Sequence, residues 1–154
     1  MAGLDSIKSL LSAVETVERS LMEGVYVQKA VEEKQEDIVA MNVEQLYERG
    51  INSVGVAIDS YAPYSPYTIL VKQQKGQPTD RVTLRDTGKF HKSFILVIGS
   101  TGFYITATDP KTWDLVDKYG DKIFGLTPEN RSSMCWDLLY PVVMKQIDSE
   151  IFRQ

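Results

Sequence analysis

An α+β fold is predicted for this 154-residue chain by three observations: an apolar stripe at helical spacing near the N-terminus, an alternating apolar hairpin past the middle, and a second helical stripe at the C-terminus. The expected architecture is an N-terminal amphipathic helix, a mainly antiparallel sheet of about four strands that includes the hairpin, and a closing C-terminal helix. With 43% hydrophobic and 25% charged residues the chain can bury one core and is too short for two good ones. Residues 1–154 are therefore read as a single domain, with 1–41 a helical extension and 42–154 the core.

Leu4, Ile7, Leu11, Val14, Val17 and Leu21 recur at three- and four-residue steps, with Lys8, Ser12, Glu15 and Arg19 on the other side, which defines an amphipathic helix. Gly24 breaks it, and residues 25–35 resume as a more polar helix. Residues 38–41 read equally as a short strand or as the end of that helix, and Asn42 caps a turn closed by Gly50. Val54, Val56 and Ile58 alternate as a weak strand. Residues 61–67 carry two prolines that forbid regular pairing, so they are expected as a loop, and residues 68–72 (Thr-Ile-Leu-Val-Lys) are expected as a strand.

Residues 73–80 contain no apolar anchor and are expected as a protruding, mobile loop. Residues 86–88 make a turn. Residues 93–98 form an apolar strand, joined through 99–102 to a second strand in which Phe103, Ile105 and Ala107 alternate with Tyr104, Thr106 and Thr108. Asp109-Pro110 is a cap followed by proline, predicting a short helix over 111–118 that ends at Gly120, and Thr127-Pro128 repeats the signal. The last helix carries Cys135, Leu139, Val143, Ile147 and Ile151 at four-residue spacing, a stripe expected to be buried, with Pro141 bending it.

The net charge of -4 argues against a protein whose main task is to grip nucleic acid. Charge is unevenly distributed. Residues 15–37 hold seven acidic and three basic side chains, and residues 72–92 hold six basic and two acidic ones. Such polarity suits copies that meet head to side, an acidic patch of one against a basic patch of the next. A lone cysteine, Cys135, excludes an internal disulfide framework and fits a reduced cytoplasmic environment. Neither a signal peptide nor a membrane-spanning segment is read.

Catalytic signatures are weak. His91, the only histidine, is expected on the surface or in a turn, and Cys135 is expected to pack in the core. Asp109, Asp114, Asp117 and Asp121 are the one dense carboxylate set; a magnesium-dependent nuclease would need them to converge, whereas caps and exposed helix faces use them individually. No glycine run has phosphate-loop spacing. Tyr61, Tyr64 and Tyr67 beside Lys72 and Lys75 have the makings of a stacking surface or, more commonly, an interface loop.

The order of segments carries one more signal. Residues 84–94 (Leu-Arg-Asp-Thr-Gly-Lys-Phe-His-Lys-Ser-Phe), then a hairpin, then Tyr119-Gly120 and Gly125-Leu126-Thr127, resemble the tail-completion and virion-morphogenesis proteins of tailed bacteriophages over roughly the C-terminal two-thirds of the chain. That resemblance implies a non-enzymatic structural protein, without cofactor, that assembles in the host cytoplasm and resides in the virion. It implies a ring of identical copies at the neck or the end of the tail tube, in contact with portal or connector, tail-tube or tail-terminator proteins, with DNA passing nearby but not specifically bound and no membrane association. The residues expected to meet partners are Tyr64, Tyr67, Lys72, Lys75, Gln77, Arg81, Arg85 and Lys89, while Gly88, Gly120, Leu139 and Val143 are expected to be structural. The competing readings are a metal-dependent nuclease and a host-side adaptor or regulatory domain.

Overall fold

The computed structural model describes residues 2–152. In chain order its elements are α1 (Ala2–Met22), α2 (Val25–Glu33), α3 (Gln35–Glu44), α4 (Pro66–Gln74), the single turn α5 (Lys89–Lys92), strands β1 (Phe94–Ile98) and β2 (Phe103–Ala107), α6 (Thr112–Tyr119), α7 (Pro128–Ser133) and α8 (Tyr140–Phe152). Wide turns with i→i+5 bonding extend two of the helices: Gln45–Arg49 continues α3, and Met134–Leu139 joins α7 to α8.

The class is α+β, with helix over about 64% of the chain and one two-stranded antiparallel sheet. The hairpin forms as expected, with Phe94 opposite Ala107 and Ile98 opposite Phe103. The other expected strands do not form. Residues 68–72 lie inside α4, because Ser65 is an N-cap whose Oγ accepts the Thr68 N–H at 3.1 Å and Pro66 occupies the first turn; this capping outweighs the strand preference of Thr68, Ile69 and Val71. Residues 38–41, read equally as a strand or as a helix end, are helical and belong to α3. The alternation around Val54 and Val56 is an exposed turn, organised by Asn52 Oδ1, which accepts both the Val54 and Val56 N–H groups.

The chain folds as two compact units, one comprising Met1–Lys34 with Ser133–Gln154 and the other Gln35–Ser132. In the first, α8 packs on α1 and α2, so the last helix closes a helical unit. Its buried side chains include Val17, Tyr26, Ala30, Val31, Met134, Leu139 and Val142. The expected stripe is only partly buried: Leu139 is inside, Val143, Ile147 and Ile151 are half-buried, and Cys135 is exposed. The cause is the wide turn over Met134–Leu139. An i→i+5 turn spends an extra residue per revolution, so the inward positions fall at Met134 and Leu139, five apart, and Cys135 is rotated out.

In the second unit α3 packs against β1, over a core of Ile38, Leu46, Ile58, Val82, Phe90, Phe94, Ile105, Ile123 and Leu126. Phe90, Phe94 and Phe124 form a ring cluster, with Phe94 centred 5.0 Å from Phe90 and 5.2 Å from Phe124. Gly50 ends the wide turn with φ 59, where a Cβ would sit 2.8 Å from Arg81 Cβ; only glycine lets the segment around Arg81 approach this closely.

Two fully buried amides sit among these apolar groups. Asn42 Nδ2 donates to the Ile123 carbonyl at 3.1 Å, and its Oδ1 accepts from the Gly125 N–H at 2.8 Å. Gln45 Nε2 donates to the Gly125 carbonyl at 3.2 Å, and its Oε1 accepts from Thr127 N–H and Asn130 Nδ2 at 2.9 and 3.0 Å. Together they hydrogen-bond residues 123–127 as a neighbouring strand would. Replacing Asn42 by leucine strands one buried donor and one buried acceptor, so Asn42→Leu is expected to cost about 2 to 5 kcal/mol in urea denaturation, and Cys135→Ser less than about 0.5 kcal/mol. Equal midpoints for the two variants would contradict the assignment of the amides.

Candidate functional site

The turn at residues 84–88 is built by residues distant from it. The Tyr64 hydroxyl accepts the Thr83 N–H at 2.9 Å and lies 3.3 Å from Thr83 Oγ1, which in turn accepts the Arg85 N–H. The Lys72 ammonium, on a buried side chain of α4, donates to the Arg85 carbonyl at 2.6 Å and to Gln77 Oε1 at 3.1 Å, and lies 4.9 Å from the centre of the Tyr64 ring. Gln77 Nε2 donates to the Asp86 carbonyl at 2.7 Å, and Lys75 pairs with the Asp86 carboxylate. The Lys75 hydrogen bond holds the Asp86 carboxyl below its usual range, opposed by partial burial and helped by the charge of Lys75.

Between these clamps Leu84 adopts φ 52, the one non-glycine residue at positive φ among those described, while its side chain is buried. A branched residue in the left-handed region is strained by about 1 kcal/mol or more. The strain persists because Tyr64 on one side and Lys72 on the other fix the backbone of its two neighbours.

The strained turn forms one wall of a cleft of about 480 Å³. Its floor is apolar, from Leu84, Phe90, Leu115 and Tyr119, and Arg85, Lys89 and Lys111 stand exposed at its rim. Five residues singled out in the sequence, Tyr64, Lys72, Arg85, Gly88 and Lys89, line it, and Gly88 takes φ 84 at the start of α5. Arg85 places its guanidinium 4.9 Å from the centre of the Tyr47 ring. The other singled-out residues do not line it: Lys75 and Gln77 bond Asp86 of its wall, Leu139 and Val143 belong to the first unit, and Tyr67 and Arg81 are turned to other neighbours or to solvent. Tyr67 is 76% exposed on α4, and Arg81 is drawn to Asp80, Glu48 and the Tyr47 carbonyl. Gly120 (φ 82) ends α6 beside the cleft residue Tyr119, whose carbonyl accepts from the Tyr61 hydroxyl.

The structure changes the meaning of several of these residues. Lys75 and Gln77, expected in a mobile loop, and Lys72, expected at the end of a strand over 68–72, tie residues 73–80 to the turn, and Gln77, Pro78 and Thr79 are half-buried. Polar bonds supply the anchor that apolar side chains do not. Asp109, Pro110, Lys111 and Leu115 were not singled out as cleft residues, although the Leu115–Tyr119 spacing of one helical turn marks an inward face. Asp109 Oδ1 accepts the Lys111 N–H at 2.8 Å, acting as a local cap.

His91, expected on the surface or in a turn, lies in the single helical turn α5 and is buried, because that turn directs Phe90 and His91 inward. Its ring meets Tyr47 and Phe94 edge-on, and its Nε2 has no hydrogen-bond partner. Burial lowers its pKa to about 4, opposed by a hydrogen bond with the Thr83 backbone and reinforced by the charges of Arg85 and Lys72. Among the described residues no group of three or more His, Cys, Asp or Glu side chains is placed to hold a metal ion, so Asp109, Asp114, Asp117 and Asp121 do not converge. None of the described helices is long and apolar enough to cross a membrane.

No protein-family model, curated protein or solved structure matches the chain.

The buried imidazole gives stability a defined pH dependence. Between pH 6.5 and about 4 the unfolded chain binds a proton that folded His91 does not. Stability is therefore full above the unfolded value and falls as the pH drops towards 4, by about 3 kcal/mol. Asp86 acts in the same direction at lower pH, since its depressed pKa contributes stability that is lost on acidification. Urea denaturation across this range is expected to show the decline in the wild type and a flatter profile in His91→Phe; parallel profiles would place the titration elsewhere.

Proposed function

We propose that the chain is a structural protein of a tailed bacteriophage particle, acting as a ring of copies at the head–tail junction or the end of the tail tube. In this reading the cleft beside the turn at 84–88 is where one copy receives its neighbour or the adjoining portal, connector, tail-tube or terminator protein. The observation that carries the reading is the cleft itself, whose apolar floor suits an inserted side chain and whose exposed Arg85, Lys89 and Lys111 suit an acidic surface. The chain also supplies acidic side chains for such a contact, since all seven of those in residues 15–37 are exposed.

The order of segments that resembles the tail-completion proteins supports the same reading, because the resembling motifs build this cleft: residues 84–88 form its wall, and Tyr119 its floor. Weak, non-specific passage of DNA is also compatible. Of the six basic residues at 72–92, Lys72 is buried, and Lys75 and Arg81 are paired with carboxylates. That leaves few cations free for phosphate, and tight binding needs many.

Arg85→Glu combined with Lys89→Glu alters exposed side chains at the rim and gives up the Arg85 contact with the Tyr47 ring, so the double variant is expected to fold with a loss of about 1 kcal/mol and to fail in joining particles. Complementation of a phage lacking the gene, read by electron microscopy for separated heads and tails, checks this. Normal particles with the double variant, or virions that contain none of the protein by mass spectrometry, would overturn the proposal.

A further inference from the structure

Helix α1 buries its small side chains and displays its large apolar ones. Its buried or half-buried positions are Ala13, Thr16, Val17 and Ser20, and its neighbours within its unit are α2 and α8. Leu4, Ile7, Leu11, Val14 and Leu21 are between 46% and 60% exposed. At about 100° per residue this outer stripe lies on the order of 130° around the helix from the packed face. A helix of 21 residues that leaves such a stripe to water forgoes the free energy of burying it, so the stripe calls for a cover.

The spacing identifies the geometry of the cover. Leu4, Leu11 and Glu18 fall at the first core position of a heptad, and Ile7, Val14 and Leu21 at the second, the seam of a helix pair. A parallel pair of identical helices would set Glu18 against Glu18 in the seam. An antiparallel pair sets Leu4 against Leu21 and Leu11 against Val14, and moves Glu18 beside Ile7. Lys8 and Glu15 both flank the stripe on one side, and the antiparallel register brings Lys8 of each helix opposite Glu15 of the other, twice by symmetry. No such complementary pair arises in the parallel register.

We infer that α1 is a self-association surface and that its occupant is α1 of a second copy of this chain, paired antiparallel about a two-fold axis, with Leu4, Ile7, Leu11, Val14 and Leu21 in the seam and Lys8–Glu15 ion pairs beside it. This contact is two-fold and closes on itself. It does not depend on a role in a virion, and of the acidic side chains at 15–37 it takes up Glu15 and Glu18, which leaves the other five for the head-to-side contact proposed above.

Sedimentation equilibrium of the purified full chain from micromolar to sub-millimolar concentration tests it. The wild type is expected to form a dimer. Leu11→Glu, at a position that makes no buried contact within the chain, is expected to raise the dissociation constant about 100-fold or more, with an unchanged circular dichroism spectrum. Lys8→Glu and Glu15→Lys are each expected to weaken the dimer about tenfold when alone, because each creates two like-charge contacts. Mixing the two single variants is expected to restore wild-type affinity as a heterodimer, since both cross-pairs are then complementary. A chain that stays monomeric throughout, or an oligomer indifferent to Leu11→Glu, would overturn the assignment of the surface; a mixture that binds no better than its components would overturn the antiparallel register.

Discussion

Asn42 and Gln45 stand on one face of α3 and its wide-turn extension, fully buried, and their amides take the hydrogen bonds of residues 123–127. A segment with no strand beside it would otherwise bury its N–H and C=O groups unpaired, at about 1 to 3 kcal/mol for each. Much of the second unit follows from that arrangement. It brings Ile123 and Leu126 into the core, sets Phe124 against Phe94, and fixes the end of α6, where Tyr61 bonds the Tyr119 carbonyl and the Ser53 N–H bonds the Lys122 carbonyl. The amides do for this segment what a third strand does in a larger sheet, which explains how two strands suffice.

The same device recurs at the cleft, now with a charge. Tyr64 before α4, Lys72 within it and Gln77 after it bond residues 83, 85 and 86, and hold Leu84 in a conformation it would not adopt alone. A buried ammonium that faces carbonyl oxygens and a ring, with no carboxylate among its hydrogen-bond partners, is tolerable only because those partners are fixed in place. The cleft is therefore preformed, and a partner entering it would not have to order the turn. His91 lies behind this wall as a neutral ring, its burial part of the packing that supports Phe90.

The hairpin was legible because alternation in Phe103, Ile105 and Ala107 is a local signal, and the N-terminal helix because its stripe is long. The missing strands were not, for reasons that lie in particular residues. Ser65-Pro66 is a helix start, but Pro66 was read with Pro63 as breaking regular pairing in a loop, and β-branched Thr68, Ile69 and Val71 then reinforced the wrong choice. Cys135 was misplaced because four-residue spacing presumes an ordinary α-helix, and nothing local announces the wide turn. At the site, the basic and aromatic residues around 64–89 were recognisable as a group. Their roles were not, since whether Lys72 meets solvent or the Arg85 carbonyl is decided by how α4 lies against a turn thirteen residues later.

Amide hydrogen exchange at Gly125 and Thr127, followed by NMR, measures the central constraint directly. Both N–H groups donate to buried side-chain oxygens, Gly125 to Asn42 and Thr127 to Gln45. If those bonds hold residues 123–127 in place, the two amides open only when the unit unfolds, and their exchange free energies equal its global stability. Exchange at the rate of a solvent-exposed loop would contradict the account, because the segment would then be leaving its amide partners while the rest of the unit stays folded.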